Sequence, residues 1–284
     1  MNEPAVRTLS FGDAFVAMTF NTLFTSTKPL IACIHLLPLP GSPRYGGNMQ
    51  AVYDTALAEA RLFARYPIDA LIVENFRDMP FYPGRLPAET VAALAAVTRD
   101  IVNAVPLPVG VNALRNDAQA AVAIATAAAA QFIRVNVHMD AVVADQGILQ
   151  GASHDTLRLR AALRSEVLIF ADVGVKHATP LAPRGLDLAT RDLTERGLVD
   201  AIIVSGDLTG VATDPKDVDI VRQHTHLPLL IGSGATPENL PAVYDKVEGF
   251  IVGSYLKRAG RADNLVDEER VKGFTEAMQA LARD

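Results

Sequence analysis

Two glycine-serine turns follow the last two apolar runs of the chain, and residues of these types can bind a phosphate group. Glycine has no Cβ, so backbone N–H groups can approach an anion closely, and a serine hydroxyl adds a donor. Ordinary strand-to-helix turns use the same residues, but the repeated pattern favours a phosphate site. The candidates are Gly232, Ser233, Gly234, Gly253 and Ser254, with Lys257 as a counter-charge.

Polar side chains end the preceding apolar runs as well. An unpaired polar group in an apolar interior costs several kcal/mol, so these groups have to face a ligand, a partner or solvent. One such residue alone could be a solvated strand end or a helix N-cap, but six runs that end this way favour a site. The candidates are His35, Glu74, Asn75, Asn112, Arg134, Asn136, Asp172 and Ser205.

Three ionisable side chains lie close together in the segment 172–177, which contains Asp172, Lys176 and His177. His35 and Asp172 could act as acid and base, because a histidine titrates near neutral pH and a partly dry carboxylate can approach that range. Asp172 could instead neutralise Lys176, which we expect to bind substrate oxygens as a cation rather than form a Schiff base. His177 and Thr209 complete the substrate-binding candidates.

No group of His, Cys, Asp and Glu shows the spacing of metal ligands along the chain. We therefore expect no metal and no cofactor. An arginine inside an apolar strand needs acceptors, so Arg134 should pair with a carboxylate such as Glu74 or hold a ligand oxygen. A long loop after the fourth strand contains Asp140 and Asp145 and could supply another carboxylate.

Eight short apolar runs alternate with amphipathic or alanine-rich segments, including a helical segment predicted over 237–246. Strands buried on both faces indicate a parallel sheet covered by helices, and eight units favour an α/β fold of the closed (β/α)8 TIM-barrel type. The phosphate turns then follow strands 7 and 8, where such barrels commonly bind phosphate. The predicted strands are 30–36, 70–75, 109–112, 132–137, 167–172, 201–205, 229–231 and 250–252.

An open doubly wound sheet is the competing fold. Its nucleotide-binding turn should follow the first strand, but that loop contains Pro38, Pro40 and Pro43, which remove backbone donors and prevent a helix from starting directly. The alternation of side chains along a strand places Cys33 and His35 on one face. Phe170 and Asp172 likewise share one face of strand 5. If both of these faces point inward, His35 and Asp172 lie on opposite sides of the barrel.

The chain's 284 residues fit a single barrel over 28–284 preceded by an extension, 1–27, whose phenylalanines could cover the barrel bottom or contact a second subunit. The formal net charge of −6 disfavours nucleic acid as a partner. A single cysteine, Cys33, forms no internal disulfide and indicates a reducing, cytoplasmic location. No transmembrane segment is expected, and alanine-rich helices favour a homo-oligomer.

Several motifs in chain order resemble those of the BtpA/SgcQ family, from about Lys28 to the C-terminus. The resemblance implies a ribulose-phosphate-binding type of barrel, sometimes described as a phosphoribosylanthranilate isomerase, with relatives linked to photosystem I biogenesis or to sugar utilisation. The motifs are Ile34-His35-Leu36, Pro38-Leu39-Pro40-Gly41-Ser42-Pro43, Val73-Glu74-Asn75-Phe76, Leu114-Arg115-Asn116-Asp117, Phe132-Ile133-Arg134-Val135-Asn136, Val175-Lys176-His177, Val204-Ser205-Gly206, Thr209-Gly210 and Gly232-Ser233-Gly234.

An enzyme that acts on a small phosphorylated sugar or nucleotide-like substrate is the function that we expect. Cleavage of a glycosidic or carbon-carbon bond and sugar-phosphate isomerisation all suit the predicted groups. Isomerase-like activity of the kind implied by the resemblance would use Cys33 as base and Asp172 as acid, although the mouth position belongs to His35 and a small buried cysteine is an ordinary core residue. A non-catalytic assembly factor that keeps the barrel as a scaffold is the alternative.

Overall fold

A computed structural model of the chain describes residues 17–175, 177–182, 184–206 and 212–283. Within these ranges the strands in chain order are β1 (Leu30–His35), β2 (Ala70–Glu74), β3 (Val109–Asn112), β4 (Phe132–Val135), β5 (Ala141–Ala144), β6 (Gly147–Gln150), β7 (Leu168–Val173), β8 (Ala178–Pro180), β9 (Ala201–Val204), β10 (Leu229–Ile231) and β11 (Gly249–Val252).

Eight of these strands form a closed parallel barrel in the order β1-β11-β10-β9-β7-β4-β3-β2. The barrel closes where β11 pairs with β1, with Leu30 opposite Phe250. Closure confirms the (β/α)8 prediction over the open doubly wound sheet. Every barrel strand is buried along its whole length, because side chains on one face fill the barrel and those on the other pack under the helices.

Helices cover most of the outside of the barrel, and polar residues begin several of them. The Asn48 and Asp117 side chains, for example, accept hydrogen bonds from the first-turn amides of Ala51 and Ala120, which satisfies otherwise unpaired donors. The helices are α1 (Phe20–Leu23), α2 (Met49–Phe63), α3 (Ala88–Ala104), α4 (Ala118–Ala128), α5 (Ser153–Ala162), α6 (Leu186–Glu195), α7 (Pro215–Gln223) and α8 (Glu268–Leu281).

The bottom of the barrel is closed by aromatic side chains. Phe20 and Phe24, in and just after α1, pack with tilted rings against each other and against Phe170 inside the barrel. Phe170 also stacks on Phe132 with a centroid separation of 4.9 Å. This apolar floor confines polar side chains to the opposite end, where the strands finish. Among the described residues, no helix has the length and apolar character that crossing a membrane requires.

Two sequence predictions about the connections are wrong. The segment 237–246 contains short 3-10 turns, Leu240–Ala242 and Tyr244–Lys246, instead of one helix. Pro241 explains the difference, because a proline inside a helix removes a backbone donor and clashes with the preceding turn. The predicted loop after β4 contains the hairpin of β5 and β6, and β8 pairs with β5 to complete a separate three-stranded antiparallel sheet.

Candidate functional site

Arg134 and Asp172 lie side by side at the carboxyl ends of β4 and β7. The Arg134 Nε and Nη2 atoms donate to Asp172 Oδ2 and Oδ1 at 2.9 and 2.8 Å. The register between the strands places Arg134 opposite Phe170, and Phe170 and Asp172 point the same way because side chains alternate along a strand. Two parallel charge-assisted hydrogen bonds make this a specific and rigid pair.

Asp172 accepts further hydrogen bonds from Asn136 Nδ2 and Ser205 Oγ, both at 2.9 Å. All of these side chains are buried. A carboxylate has about four lone-pair positions, and four donor atoms from the described residues point at this one. Through these bonds Asp172 anchors and orients Arg134. The acid or base role expected for Asp172 from the sequence stays a prediction.

Arg134 is a buried cation near the centre of the mouth. Burial alone would lower its pKa, but the charge and hydrogen bonds of Asp172, with a further contribution from Glu74, raise the pKa above its ordinary value. The guanidinium group is therefore permanently charged. Its Nη1 atom lies 3.9 Å from Glu74 Oε1, so Glu74 is a more distant partner than Asp172. The sequence predicted that Arg134 pairs with a carboxylate such as Glu74 or holds a ligand oxygen, and both carboxylates lie within 4.0 Å of its guanidinium group.

Glu74, at the end of β2, lies between Asn112 and His35. The parallel register pairs His35 with Glu74 and Glu74 with Asn112, so three adjacent strands present these side chains together. Asn112 Nδ2 donates to Glu74 Oε1 at 3.0 Å. The other carboxylate oxygen, Oε2, lies 3.5 Å from His35 Nε2.

The imidazole of His35 is fixed from two directions. Its Nδ1 atom lies 2.9 Å from the backbone oxygen of Ala262, and because a carbonyl only accepts, Nδ1 carries the proton. The ring stacks on Phe76 with a centroid separation of 4.4 Å. Cys33 shares the inward face of β1, so that one ligating atom each from Cys33, His35 and Glu74 lie within 4.8 Å of one another. Thiolate, imidazole and carboxylate groups can together bind a metal ion.

A cavity of about 160 Å³ opens between the loops that follow β10 and β11. Residues 232–236 and 253–255 line it, which brings together all five predicted glycine and serine phosphate candidates. In the part of the chain that the structure describes, the N–H groups of Gly234, Ala235 and Ser254 have no protein acceptor. Unpaired amides at a cavity wall are suitable donors for an anion.

Two positions at this cavity favour glycine, one because of its backbone conformation and the other because of a neighbouring side chain. Gly234 has a φ of +69°, which side chains with a Cβ rarely adopt. A Cβ on Gly253 would lie 3.0 Å from His35 Nε2. The second glycine therefore keeps open the space between the loop and the imidazole.

Arg270, from α8, lines this cavity together with Arg134, and Lys257 does not. The Arg270 side chain lines the cavity, lies 4.2 Å from the Tyr255 ring centroid and donates to the Tyr255 backbone oxygen. Across the described residues it makes no salt bridge within 4.0 Å with Asp or Glu. Lys257 is fully buried, and its Nζ donates to Glu59 at 2.7 Å. Nothing in the sequence near Arg270 indicates its role.

A second cavity of about 420 Å³ occupies the other side of the mouth. It shares Glu74, Phe76 and Arg134 with the first cavity, so the two cavities are adjacent at these side chains. Asn136 Oδ1 is buried and has no hydrogen-bond partner among the described residues, although Asn136 lines the cavity. The remaining lining residues are Met79, Phe81, Asn112, Leu114, Arg115, Asp145, Gln146 and His177.

Asn75 lies outside both cavities, in contrast to its predicted substrate contact. It follows the inward-facing Glu74, so its side chain points the other way. Its amide donates to Asp78 and to the Leu114 backbone oxygen, and its Oδ1 accepts from the Leu114 N–H at 2.8 Å. Asn75 therefore joins two loops instead of lining the site.

Two predicted site residues, Lys176 and Thr209, lie outside the described residues. His177 is exposed and lines the larger cavity. Ser205 reaches the site through its hydrogen bond to Asp172 and a longer one, 3.3 Å, from Arg134 Nη2.

Solved structures with a similar fold include two enzymes. The phosphoribosylanthranilate isomerase of Pyrococcus furiosus superposes with a TM-score of 0.54 at 14% identity, covering 89% of this chain and 99% of that one. Tryptophan synthase of Mycobacterium tuberculosis gives a TM-score of 0.56 at 15% identity, with 89% and 92% coverage. At these identities the likeness concerns the fold alone.

Closer relatives share the sequence as well. The chain is 44% identical to the photosystem I biogenesis protein BtpA of Synechocystis, over 90% of this chain and 89% of that protein. It is also 44% identical to an uncharacterized protein of Thermococcus kodakarensis, with 89% and 96% coverage. The model of the BtpA family matches residues 26–280. The chain belongs to the BtpA family.

Proposed function

We propose that this protein is an enzyme that acts on a small phosphorylated sugar or nucleotide-like substrate. One observation carries the proposal: the two cavities meet at Glu74 and Arg134. A ligand whose phosphate lies in the smaller cavity therefore has its carbon skeleton beside a carboxylate and a buried cation. This juxtaposition suits a reaction better than simple ligand storage.

The phosphate lies against the loops after β10 and β11. The amides of Gly234, Ala235 and Ser254 supply hydrogen bonds, and Arg270 supplies the positive charge. Hydrogen bonds to a charged group contribute about 1.5–3 kcal/mol each. The same loops commonly bind phosphate in barrels of this architecture.

The sugar or base occupies the larger cavity. Asn136 Oδ1, a buried acceptor, would receive a hydrogen bond from a substrate hydroxyl or amino group, which removes the cost of an unpaired buried group. Phe76 and Phe81 supply apolar surface on the same cavity wall. An amphipathic substrate such as a pentose or nucleoside matches this combination.

Glu74, His35 and Arg134 are the groups that we assign to the reaction in the metal-free protein. The His35 Nε2 and Glu74 Oε2 atoms, 3.5 Å apart, can exchange a proton with a substrate, and Arg134 can stabilise a developing oxyanion. Asp172 positions Arg134. Cleavage of a glycosidic or carbon-carbon bond and sugar-phosphate isomerisation are the reaction types that use such groups.

Thermal unfolding with inorganic phosphate, ribose 5-phosphate and nucleoside monophosphates tests the phosphate site, with ribose and nucleosides as controls. A ligand at 100 times its Kd stabilises the folded state by about 2.7 kcal/mol. We expect stabilisation by a phosphorylated compound, loss of the effect in Ser233→Asp, and retention in Ser153→Asp, a matched change at the start of α5. Equal melting with phosphorylated and unphosphorylated compounds would contradict the proposal. A turnover screen with the stabilising compounds then identifies the reaction.

A non-catalytic biogenesis factor is the second candidate, because a relative with 44% identity carries that name. The two functions differ in their dependence on Glu74. In a cellular complementation assay, Glu74→Gln abolishes the function of an enzyme, whereas a scaffold keeps its function if the variant folds. The isomerase alternative is tested by assaying phosphoribosylanthranilate turnover directly.

A further inference from the structure

We propose that Cys33, His35 and Glu74 form a binding site for a divalent metal ion of the zinc class. Their ligating atoms lie within 4.8 Å of one another, and all three residues are buried at the wall of the phosphate cavity. The inference is independent of phosphate binding, since neither site shares its ligating atoms with the other. The spacing of Cys33, His35 and Glu74 along the chain did not predict a metal site, because Glu74 lies on a different strand.

The orientation of His35 is the strongest argument. Because Nδ1 donates its proton to Ala262, a neutral imidazole presents the lone pair of Nε2 toward Glu74 Oε2, 3.5 Å away. With Nδ1 occupied in this way, Nε2 is the ring atom that a metal ion bound beside Glu74 would meet. Histidines that bind metals usually donate their other ring N–H to a carbonyl or carboxylate in this way.

Glu74 is oriented in the same manner. Asn112 Nδ2 donates to Oε1, which leaves Oε2 as the oxygen that faces His35. The two oxygens thus have different partners: Oε1 lies toward Asn112 and Arg134, and Oε2 lies toward the imidazole. Hydrogen bonds of this kind to a ligating carboxylate are typical of metal sites.

The distances fit a tetrahedral ion. Zinc binds nitrogen and oxygen at about 2.0–2.2 Å and sulfur at about 2.3 Å, so neighbouring ligand atoms are about 3.3–3.6 Å apart. The separation between His35 Nε2 and Glu74 Oε2 already matches this value. The other ligand pairs lie within 4.8 Å and need to contract by up to about 1.5 Å. Gly253 leaves room beside Nε2, where a Cβ would lie 3.0 Å away.

Charge balance also favours a divalent ion. A Cys33 thiolate and the Glu74 carboxylate together neutralise the two positive charges, and the neighbouring pair of Arg134 and Asp172 is already balanced. The buried site therefore carries no uncompensated charge, which would otherwise be costly. Three protein ligands leave a fourth position for water or a substrate oxygen, the arrangement found in catalytic rather than structural zinc sites.

Cobalt titration of chelator-treated protein tests the proposal, because Cys33 is the only cysteine of the chain. Any sulfur-to-cobalt charge-transfer band therefore reports on Cys33. We expect one equivalent of Co²⁺ to produce this band together with visible d–d bands, and Zn²⁺ to displace it. In Cys33→Ser the charge-transfer band is absent.

Graded variants separate a ligand role from a structural one. Asn112→Ala removes a hydrogen-bond partner of a ligand and should lower Co²⁺ affinity roughly 10–100-fold. His35→Gln and Glu74→Gln remove ligands, so we expect them to lower the affinity further. His154→Gln and Glu268→Gln, at exposed positions, are matched controls and keep the wild-type affinity. Circular dichroism verifies that each variant is folded.

Absence of the charge-transfer band in folded wild-type protein would overturn the proposal. So would a band whose titration is unchanged in both His35→Gln and Glu74→Gln. Phosphate-dependent melting of the same metal-free protein is measured in parallel. A failure of metal binding is thereby distinguished from a failure of the proposed phosphate site.

Discussion

Arg134 and Asp172 join β4 to β7 through two parallel hydrogen bonds of 2.9 and 2.8 Å in the buried mouth of the barrel. Burying an unpaired arginine would cost free energy, and the pairing with Asp172 offsets that cost. It also fixes the position of the Arg134 cation beside both cavities. It also makes the site part of the barrel's own packing, because each charge is compensated only while the two strands stay in register.

Asp172→Asn should therefore destabilise the fold as well as the site. Removing one partner of a buried ion pair leaves the other charge uncompensated, which costs about 3–5 kcal/mol. Urea denaturation measures this loss as a lower transition midpoint. Glu268→Gln, which breaks the exposed pair with Arg65, is the control and should cost less than about 1 kcal/mol. Equal losses in both variants would contradict the anchor role of Asp172.

Arg270→Met and Lys257→Met should separate phosphate binding from stability. We expect Arg270→Met to weaken binding of inorganic phosphate or ribose 5-phosphate about 10-fold or more, since a charged hydrogen bond contributes about 1.5–3 kcal/mol. Calorimetric titration provides the measurement. Lys257→Met should leave this affinity unchanged, because its ammonium group pairs with Glu59. The opposite pattern would restore Lys257 as the phosphate cation.

The pair of Lys257 and Glu59 should instead contribute to folding. Burial lowers the pKa of Lys257, and the charge of Glu59 opposes that effect. Lys257→Met alone leaves Glu59 buried without its cation, with an expected loss of about 3–5 kcal/mol. The double variant Lys257→Met/Glu59→Leu should recover part of this loss in chemical denaturation. A double variant less stable than Lys257→Met would show that the apolar replacement does not pack.

His138 should make the protein less stable in mild acid. Burial lowers its pKa below the ordinary value, while its hydrogen bond to the Gly197 carbonyl opposes the shift. As the pH falls below about 6.5, the unfolded chain takes up the proton first, so stability declines by at most about 1.4 kcal/mol per pH unit until the folded pKa is reached. Denaturation midpoints from pH 8 to pH 5 measure this slope. His138→Gln should reduce it, and an unchanged slope would exclude His138 as its source.

Gly110→Ala should strain the barrel interior. A Cβ at this position would lie 2.2 Å from Cε2 of the Phe132 ring, and overpacking of a core costs about 1–3 kcal/mol. Phe132→Leu replaces the ring with a smaller side chain. In the double variant, the added methyl group should therefore destabilise the fold less than it does beside Phe132. Thermal melting of the four proteins completes the cycle, and strict additivity would show that the two side chains do not interact.

Periodicity and chain order were sufficient to predict the barrel and most of the polar residues that line its mouth. Period-two alternation within the strands predicted that Cys33 and His35 share a face, and parallel pairing brought polar strand ends to one edge. The same reasoning placed the glycine-serine turns after the seventh and eighth barrel strands. These features depend on local periodicity and chain order, which a sequence contains directly.

Which polar groups contact one another depends instead on the packing of segments that are distant in sequence. Lys257 is close to the second glycine turn in sequence, but its side chain points to Glu59. Arg270 is farther along the chain, but its side chain lines the cavity beside that turn. Glu74 approaches His35 through the register of β1 with β2, which no spacing along the chain encodes. Side-chain direction and strand register arise from packing between distant segments, and the site is the product of both.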